Sequence, residues 1–343
     1  MDYKTSGVDI DAGNAAVRRI RELARGTFTS GVLSEIGSFS GLFQPDLSGL
    51  ADPVLVSSAD GVGTKLKIAF HTGRHDTIGV DLVNHCVNDI LVQGATPLFF
   101  LDYLATGRLS TEVTTQVVTG LATACAENGC ALLGGETAEM PGFYADGEYD
   151  LAGFIVGLVD RERLVDGSRI RPGDRLIGLP STGLHTNGYS LARHIIFETL
   201  GLTLDSVPDG FSGSVSDVLL RPHRSYLGLI GPVLSQAAGT IKGMAHITGG
   251  GLTCNLPRVL SAGMSAEIDR CSWTPPAIFR FLQDRGELTD SEAFRTFNMG
   301  IGMVVVCDAA ATGPLRLRFG QAGEHGAVVI GTVTTGDGTV RYV

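Results

Sequence analysis

Asp60-Gly61-Val62-Gly63-Thr64-Lys65 gathers a carboxylate, two glycines and a primary amine into one short stretch. Glycine lets backbone N–H groups come close to a ligand, a carboxylate holds a hard cation, and an ammonium neutralises phosphate oxygen. The set therefore suits a metal–nucleotide, although its spacing is neither a Walker A loop nor G-x-G-x-x-G, and the hexapeptide alone also reads as an exposed hairpin turn. Further on, the run Asp81 to Gln93, ended by Gly94, reads as a helix. At 100° per residue Asp81, Asn84, His85, Asn88 and Asp89 share one side of it, and Leu82, Val83, Cys86, Val87, Ile90 and Leu91 the other. The polar side carries no Lys, Arg or Glu, the residues that fill a solvated helix face, so it reads as the wall of a site. Asp81 and Asp89 stand about 12 Å apart along such a helix, too far for one ion and well matched to a polyphosphate carrying two.

Three further stretches carry chemistry. Gly134-Gly135-Glu136 follows an apolar run and reads as a second strand-to-loop site, whose carboxylate would complete the shell of a cation. Ser181-Thr182-Gly183-Leu184-His185-Thr186-Asn187-Gly188-Tyr189-Ser190 sets hydroxyls, glycines and an amide before a helix. First-turn N–H groups point outward there and the dipole favours negative charge, so a phosphomonoester fits; plain capping by Asn187 or Ser190 is the alternative. His246-Ile247-Thr248-Gly249-Gly250-Gly251 joins an imidazole, able to serve as acid or base near neutral pH, to three glycines that suggest close backbone approach. His246 reads equally well as a structural histidine. Asp102, at the end of the apolar run Thr96 to Tyr103, and His185 stand behind it as candidates for proton handling.

The elements that must position these groups follow from apolar periodicity and turn residues. Val54 to Val56 reads as a short buried strand, and Thr96 to Tyr103, Cys130 to Leu133 and Leu151 to Val159 as further strands, with a helix over Thr111 to Asn128. Asn14 is expected to cap an amphipathic helix carrying Val17, Ile20, Leu23 and Ala24. The acidic arm before it, with Gly7, Asp9 and Asp11, reads either as a frayed terminus or as a flap over a nucleotide. The Pro-Gly turn in Asp166 to Asp174 is the expected boundary, giving domains 1–167 and 168–343. In the second, Arg175 to Leu179 and Phe297 to Val306 read as strands, Pro257 as a kink or late start in a helix toward Leu260, and Gly331 to Val343 as a terminal hairpin with Asp337-Gly338 at its tip.

Composition narrows the class. With 343 residues, 43% hydrophobic, 18% charged and a mean hydropathy of +0.20, the chain is long enough for two cores and excludes a disordered protein. A net charge of −10 without a Lys/Arg cluster argues against a nucleic-acid surface, so anionic ligands must be met locally. The six cysteines (Cys86, Cys125, Cys130, Cys254, Cys271, Cys307) form no C-x-x-C pair and are expected to be reduced, buried thiols. Neither a signal-peptide core nor a membrane span is legible, which makes a cytoplasmic protein the expectation.

Taken together, S-G-V-D-I-D-A-G-N at 6–14, D-G-V-G-T-K at 60–65, H-D-T-I-G-V-D-L-V at 75–83, P-L-F-F-L-D-Y at 97–103, G-G-E-T-A-E-M-P-G at 134–142, N-G-Y-S-L at 187–191, H-I-T-G-G-G at 246–251 and R-T-F-N-M-G-I-G-M at 295–303 carry a resemblance over nearly the whole chain. The sequence closely resembles the phosphoribosylformylglycinamidine cyclo-ligase family, also called aminoimidazole ribonucleotide synthetases. The resemblance implies an α/β fold with mixed sheets, in which two amino-terminal domains pair in a homodimer to form a shared β-barrel and each is followed by a carboxy-terminal α/β domain. It implies ATP and Mg2+ near the dimer interface and a ribonucleotide phosphomonoester as substrate. By motif position Asp60, Asp81 and Asp89 look like the metal-side carboxylates. Gly61, Val62, Gly63, Thr64 and Lys65 look like phosphate contacts, with Asn84, Asn88, Gly134, Gly135 and Glu136 beside the nucleotide and Gly7, Val8, Asp9 and Asp11 covering it. Ser181, Thr182, Gly183, His185, Asn187, Gly188, Tyr189 and Ser190 look like the substrate-phosphate site, adjoined by Thr248, Gly249 and Gly250, with His246, Lys65 and Asp102 as catalytic candidates. Thr182 and Thr186 stand where relatives often carry serine, which keeps the hydroxyls, and Ser30 to Phe43 is less glycine-rich than in some relatives.

Two other readings are weighed against this one. The nearest alternative within the class is another small-molecule ATP-dependent kinase of the superfamily, such as a thiamine monophosphate kinase or a selenophosphate synthetase; the latter is disfavoured because no cysteine precedes Cys86. A catalytically silent nucleotide-binding regulator has no need of Asp60, Lys65, Asp81 and Asp89 together.

Overall fold

The computed structural model describes residues 10–343, with the side chains of residues 10–12 and 14–16 outside the description. Gly7, Val8 and Asp9 therefore lie outside the described residues, as does the side chain of Asp11. The chain divides into two compact units, one running to Ile90 and resuming over Ala95–Arg161, the other comprising Leu91–Gly94 and Glu162–Val343.

In the first unit the described elements are α1 (Ile10–Arg25), β1 (Pro53–Gly61), α2 (Leu66–Thr72), α3 (Ile78–Leu91), β2 (Thr96–Thr106), α4 (Thr111–Glu127), β3 (Ala131–Glu139) and β4 (Tyr149–Asp160). Asn14 lies inside α1 rather than capping it. The strands form a four-stranded sheet in the order β1-β4-β2-β3, antiparallel except for β2 with β3. One face is covered by helix: a methyl group on Gly153 would strike Leu82 of α3, and one on Gly157 would strike Ile90. The opposite face is apolar and open, with Leu55 65% and Phe154 46% exposed. The expectation that Val54 to Val56 is buried is thus corrected. β1 is an edge strand whose residues alternate between half-buried and exposed, because only one side of the sheet has a partner layer. Gly134 to Glu139 is also corrected, from loop to strand. Pairing with Leu101 to Thr106 in a parallel ladder outweighs the weak strand preference of two adjacent glycines.

α3 shows why its sequence looked unlike a surface helix. Asp81, Asn84, His85 and Asn88 are buried together with Leu82, Val83, Cys86, Val87 and Ile90, so the polar stripe meets protein and not bulk water. α4 is opened by the Ser110 side chain, which accepts from the Val113 N–H.

The second unit contains β5 (Arg175–Pro180), α5 (Tyr189–Arg193), α6 (Val215–Leu219), α7 (Leu227–Gln236), β6 (Ile241–His246), α8 (Gly251–Asn255), β7 (Met264–Ile268), α9 (Ala277–Arg285), α10 (Asp290–Thr296), β8 (Ile301–Cys307), α11 (Thr312–Gln321), β9 (Val328–Thr335) and β10 (Val340–Tyr342). Its sheet has the order β10-β7-β9-β5-β8-β6. The fully buried run Ile301 to Cys307 takes an interior position between β5 and β6, as an uninterrupted apolar strand must. Leu179, Tyr226, Ile230, Met303, Val305 and Phe319 pack in one core around it. The terminal hairpin is not formed. β10 pairs with β7 in parallel, while β9 pairs with the other edge of β7, so the Asp337-Gly338 turn carries the chain across β7. That turn is held by Ser265, whose Oγ accepts from the Asp337 N–H, and by the Met264 carbonyl, which accepts from Gly338.

Of the six cysteines, Cys86, Cys125, Cys130 and Cys307 are buried as expected; Cys254 and Cys271 are exposed, and all six are free thiols.

Candidate active site

In the first unit the site is built where the end of β1 faces α3. Ser58 and Asp60, two residues apart, lie on one side of the strand. The Ser58 hydroxyl donates to Asp89 Oδ2 at 3.0 Å, and Asp60 Oδ2 lies 2.8 Å from His85 Nε2, which is itself 3.8 Å from Asp89 Oδ2. The other Asp60 oxygen accepts the Gly61 N–H at 2.7 Å. Two partly exposed carboxylates thus share one histidine. Burial pushes the His85 imidazole down, but the bond to Asp60 and the charges of Asp89, Asp60 and Asp81 outweigh it and hold the ring above its ordinary range. Burial likewise pushes Asp60 up, and its bond to His85 prevails and holds it low. Hard oxygen donors at a half-exposed edge fit Mg2+, which takes one or two protein carboxylates and keeps its remaining positions for water and phosphate.

Lys65 and Asp81 do something else. Lys65 Nζ lies 2.8 Å from Asp81 Oδ1, and both side chains are wholly withdrawn from solvent. Burial pulls the Lys65 ammonium below its usual range against the opposing pull of Asp81. In this conformation the amine meets a carboxylate instead of a solvent-facing phosphate position, and Asp81 meets an ammonium instead of an open cation position. The rest of the loop is mixed: Gly63 and Thr64 are exposed, Gly61 is half-buried, and Val62 is fully buried in the core. Asn84 accepts from Asn128 Nδ2 at 2.9 Å in the interior, and Asn88 is fully buried beside it.

Asp102 and Gly134 to Glu136 occupy a different place, the β2–β3 part of the sheet: Gly134 and Glu136, in register with Leu101 and Tyr103, belong to its open face, whereas Asp102, in register with Gly153, belongs to the helix-covered face. With Phe99, Leu101, Tyr103 and Phe154 they line a cavity of about 960 Å³ that Val17, Ile20 and the segment from Glu35 to Phe43 border. Asp102 lies between Gly135 of β3 and Gly153 of β4, and a methyl group on Gly135 would come within 2.4 Å of Asp102 Oδ1. Burial pushes the Asp102 carboxyl up to about 7. Neither Asp60 nor Asp89 lines this cavity.

The second unit assembles its own site at the carboxyl end of β5. Ser181 N–H donates to the Gly300 carbonyl, and Ser181 Oγ donates to Asn298 Oδ1 at 3.0 Å. Asn298 also accepts from Gly300 and donates to the Gly183 carbonyl, so one buried amide fixes both ends of the turn. His185 takes a positive φ of 60°, which aims its Nε2 back to accept the Thr182 N–H at 3.1 Å. Thr182 and Ser190 are exposed and Asn187 half-buried, whereas Tyr189 is buried with its hydroxyl bonded to the Leu219 carbonyl and serves the core. Capping by Asn187 or Ser190 does not occur: Gly188 stands at the N-cap of α5, without a side-chain bond. Gly188 and Gly251 are required by packing, since a methyl group would come within 2.5 Å of the Phe297 ring and 2.1 Å of the Phe294 carbonyl, respectively. Gly249 is exposed, and the position of its missing methyl lies 3.1 Å from Asn187 Oδ1, which brings the two loops together. Asn255, at the end of α8, donates to the carbonyls of Thr248, Gly249 and Gly251 and shapes the glycine turn.

His246 ends β6, buried, with its Nε2 3.0 Å from His223 Nε2. Asn255, Asn298 and His223 are the residues that sequence reasoning missed. Asn298 and His223 act on partners distant in the chain and Asn255 on the turn just before it, and none stands in a spacing that signals its role.

Comparison with known proteins gives three results. Residues 48–159 match the family described as "AIR synthase related protein, N-terminal domain", and residues 171–343 its C-terminal counterpart. The chain is 53% identical over 333 residues to a phosphoribosylformylglycinamidine cyclo-ligase of Geotalea uraniireducens, covering 97% of this chain and 95% of that one. It is 54% identical over 333 residues to one of Geobacter metallireducens, with the same coverage. The fold is similar to that of a thiamine-monophosphate kinase from Stenotrophomonas maltophilia (TM-score 0.67, 19% identity, 96% and 95% of the two chains). It is also similar to that of the hydrogenase maturation protein HypE in complex with ATP (TM-score 0.63, 18% identity, 93% and 88%).

Proposed function

The chain belongs to the phosphoribosylformylglycinamidine cyclo-ligase family, and from that premise we propose that it is the enzyme that closes the imidazole ring of aminoimidazole ribonucleotide, with formylglycinamidine ribonucleotide and ATP as substrates and ADP and phosphate as further products. It is a C–N bond-forming ligase of purine biosynthesis. The observation that carries the assignment is identity above 50% along almost the whole of two relatives of that name, together with the Asp60, His85 and Asp89 constellation present intact in this chain.

An amide oxygen is a poor leaving group, so amine attack on the formamide carbon requires that oxygen to be activated. Transfer of the γ-phosphoryl group to it makes an iminophosphate, and attack by the amidine-side nitrogen then expels inorganic phosphate. Phosphoryl transfer asks a protein chiefly for positioning and for neutralisation of developing charge. Asp60 and Asp89 would hold Mg2+, which when bound supplies charge to the phosphate oxygens, and the Gly63 N–H with Thr64, joined by the Gly61 N–H once it leaves Asp60, would seat the phosphates. Gly7, Val8, Asp9 and Asp11 would cover the nucleotide, as in the expectation from sequence. For Lys65 to reach a phosphate it must leave Asp81, and Asp81 would then join the cation side. Ser181, Thr182, Asn187, Ser190, Thr248 and Gly249 would take the substrate phosphate, and His246 would handle the proton of the attacking nitrogen.

The open apolar face of the first sheet, with Leu55, Tyr103 and Phe154 exposed, supports a homodimer that covers it. Among the described residues no helix is long and apolar enough to cross a membrane, and a cytoplasmic location accords with the pathway. The deciding experiment is ADP release by the purified protein with formylglycinamidine ribonucleotide set against thiamine monophosphate. Turnover with the first alone is expected; turnover with the second alone overturns the reading.

A further inference from the structure

The segment Pro222 to Tyr226, which leads into α7, runs alongside the turn that leaves β5. The Thr182 hydroxyl donates to the Pro222 carbonyl at 2.6 Å. The His223 ring stacks on His185, with centroids 4.0 Å apart, and its Nδ1 lies 3.3 Å from the Thr186 hydroxyl. Arg224, paired with Glu324, donates to the Pro180 carbonyl at 3.4 Å, and the Tyr226 hydroxyl donates to the same oxygen at 2.8 Å. A carbonyl oxygen only accepts, so chemistry fixes the direction of both bonds to Pro180. That of Tyr226 has the ordinary length of a hydroxyl bond, and that of Arg224 is long.

The ladder slips at the same point. Leu179 faces Met303 and Pro180 faces Ile301, so Gly302 of β8 has no opposite number on β5. Gly302 is the one position of Ile301 to Cys307 without a side chain, and a methyl group there would come within 2.1 Å of the Tyr226 hydroxyl oxygen and 2.6 Å of the His185 ring. An otherwise unbroken apolar strand thus leaves room for one phenol hydroxyl and one imidazole, and both hold the turn: His185 Nε2 accepts the Thr182 N–H, and Tyr226 donates to the Pro180 carbonyl. Tyr226 is wholly buried, and burial pushes its phenol well above the ordinary range, so the hydroxyl stays a donor at neutral pH. The peptide between Pro180 and Ser181 is therefore gripped on both sides, its oxygen by Tyr226 and Arg224 and its N–H by the Gly300 carbonyl. Binding groups must be held within about 0.5 Å of their productive geometry, and this peptide sets where Ser181 and Thr182 begin. Resting on the reading of Ser181 to Ser190 as the seat of the substrate phosphate, we infer that Tyr226 is a positioning residue of that site, its hydroxyl fixing the peptide from which the phosphate-binding turn departs. It acts through the turn, from within the core.

The test compares Tyr226→Phe, which removes only the hydroxyl, with replacement of Tyr226 by 4-aminophenylalanine, whose N–H can donate to the same carbonyl, and with Ile230→Val, which trims the same core one turn further along α7. In the full-length protein Tyr226→Phe is expected to raise KM for the ribonucleotide about fivefold, the worth of one neutral hydrogen bond, with kcat and KM for ATP changed less than about twofold. Hydrogen exchange without ligand, followed by mass spectrometry, is expected to quicken about fivefold in peptides covering Ser181 to Asn187 and to stay as in wild type over Met264 to Ile268. The amine is expected to recover most of both changes, and Ile230→Val to produce neither. Four results each overturn the inference: exchange of the turn unchanged in Tyr226→Phe, KM for the ribonucleotide within about twofold of wild type, kcat and KM for ATP moving as far as KM for the ribonucleotide, or phenylalanine and 4-aminophenylalanine behaving alike. Absence of wild-type turnover with the ribonucleotide overturns the functional reading instead, and exchange over Ser181 to Asn187 still decides whether Tyr226 holds the turn.

Discussion

Lys65 and Asp81 form an ion pair with neither member in contact with solvent. Removal of one partner leaves the other charge uncompensated in the interior, at a cost of about 3–5 kcal/mol, whereas removal of both leaves none. Asp81→Asn and Lys65→Met are each expected to lower stability on that scale, and the double variant to lose less than the sum. Urea unfolding of the four proteins reads the coupling directly; additive losses would show that the pair is not an energetic unit.

Asp60 and Asp89 share His85, and the proposed cation site rests on their two carboxylates. Asp60→Asn and Asp89→Asn are expected to raise the Mg2+ concentration for half-maximal ADP release by about tenfold or more, because a neutral amide is a poorer ligand for a hard cation. KM for the ribonucleotide should barely move. A Mg2+ titration of turnover checks this, and an unchanged midpoint in both variants would remove these residues from the metal.

Burial pushes the Asp102 carboxyl up to about 7 in the folded chain, and unfolding returns it to the ordinary carboxylate range. Between those values the native state holds a proton that the unfolded state has released, so this residue's contribution to stability falls as pH rises from about 4 to 7 and is flat above. Asp102→Asn is therefore expected to stabilise the protein at pH 8 and to leave it unchanged at pH 4. Equilibrium unfolding at the two pH values measures the difference. A variant less stable than wild type at pH 8 would mean that the ionised carboxylate has a partner there.

Gly249 and Gly251 sit two residues apart in one turn and answer to different demands. Gly251→Ala puts a methyl group against two carbonyl oxygens, at a φ of 57°, and is expected to cost more than about 2 kcal/mol of stability. Gly249→Ala meets only the end of the Asn187 side chain and is expected to leave stability nearly unchanged while raising KM for the ribonucleotide. Thermal unfolding paired with steady-state kinetics separates the two, and equal destabilisation by both would place Gly249 in the packing as well.

The chemistry of this chain was more legible in its sequence than its architecture. The cover over the polar stripe of α3 is legible because residue type alone, short side chains without lysine, arginine or glutamate, distinguishes a covered face from a wet one. The buried run Ile301 to Cys307 was recognisable because an interior strand has no polar side to show. Leu55 misled because apolar character does not say whether a partner layer exists. Gly134 to Glu139 misled because ladder bonds to β2, a long-range property, decide the conformation of residues with poor strand preference. His223 gave no signal, since its partners Thr186 and His246 are set by tertiary structure.

Strand β7 has consequences for how the second unit comes together. Both of its partners follow it in the chain: Met264 waits for Thr335, and Ala266 for Val340. During synthesis that ribbon must therefore emerge and persist without hydrogen bonds until much later segments arrive, so its assembly is governed by slow, long-loop closure and not by neighbouring turns. The glycine turn shares this dependence, because Thr253 of α8 bonds the hydroxyl of Tyr342, and the loop that would meet the ribonucleotide is secured by one of the last segments to dock.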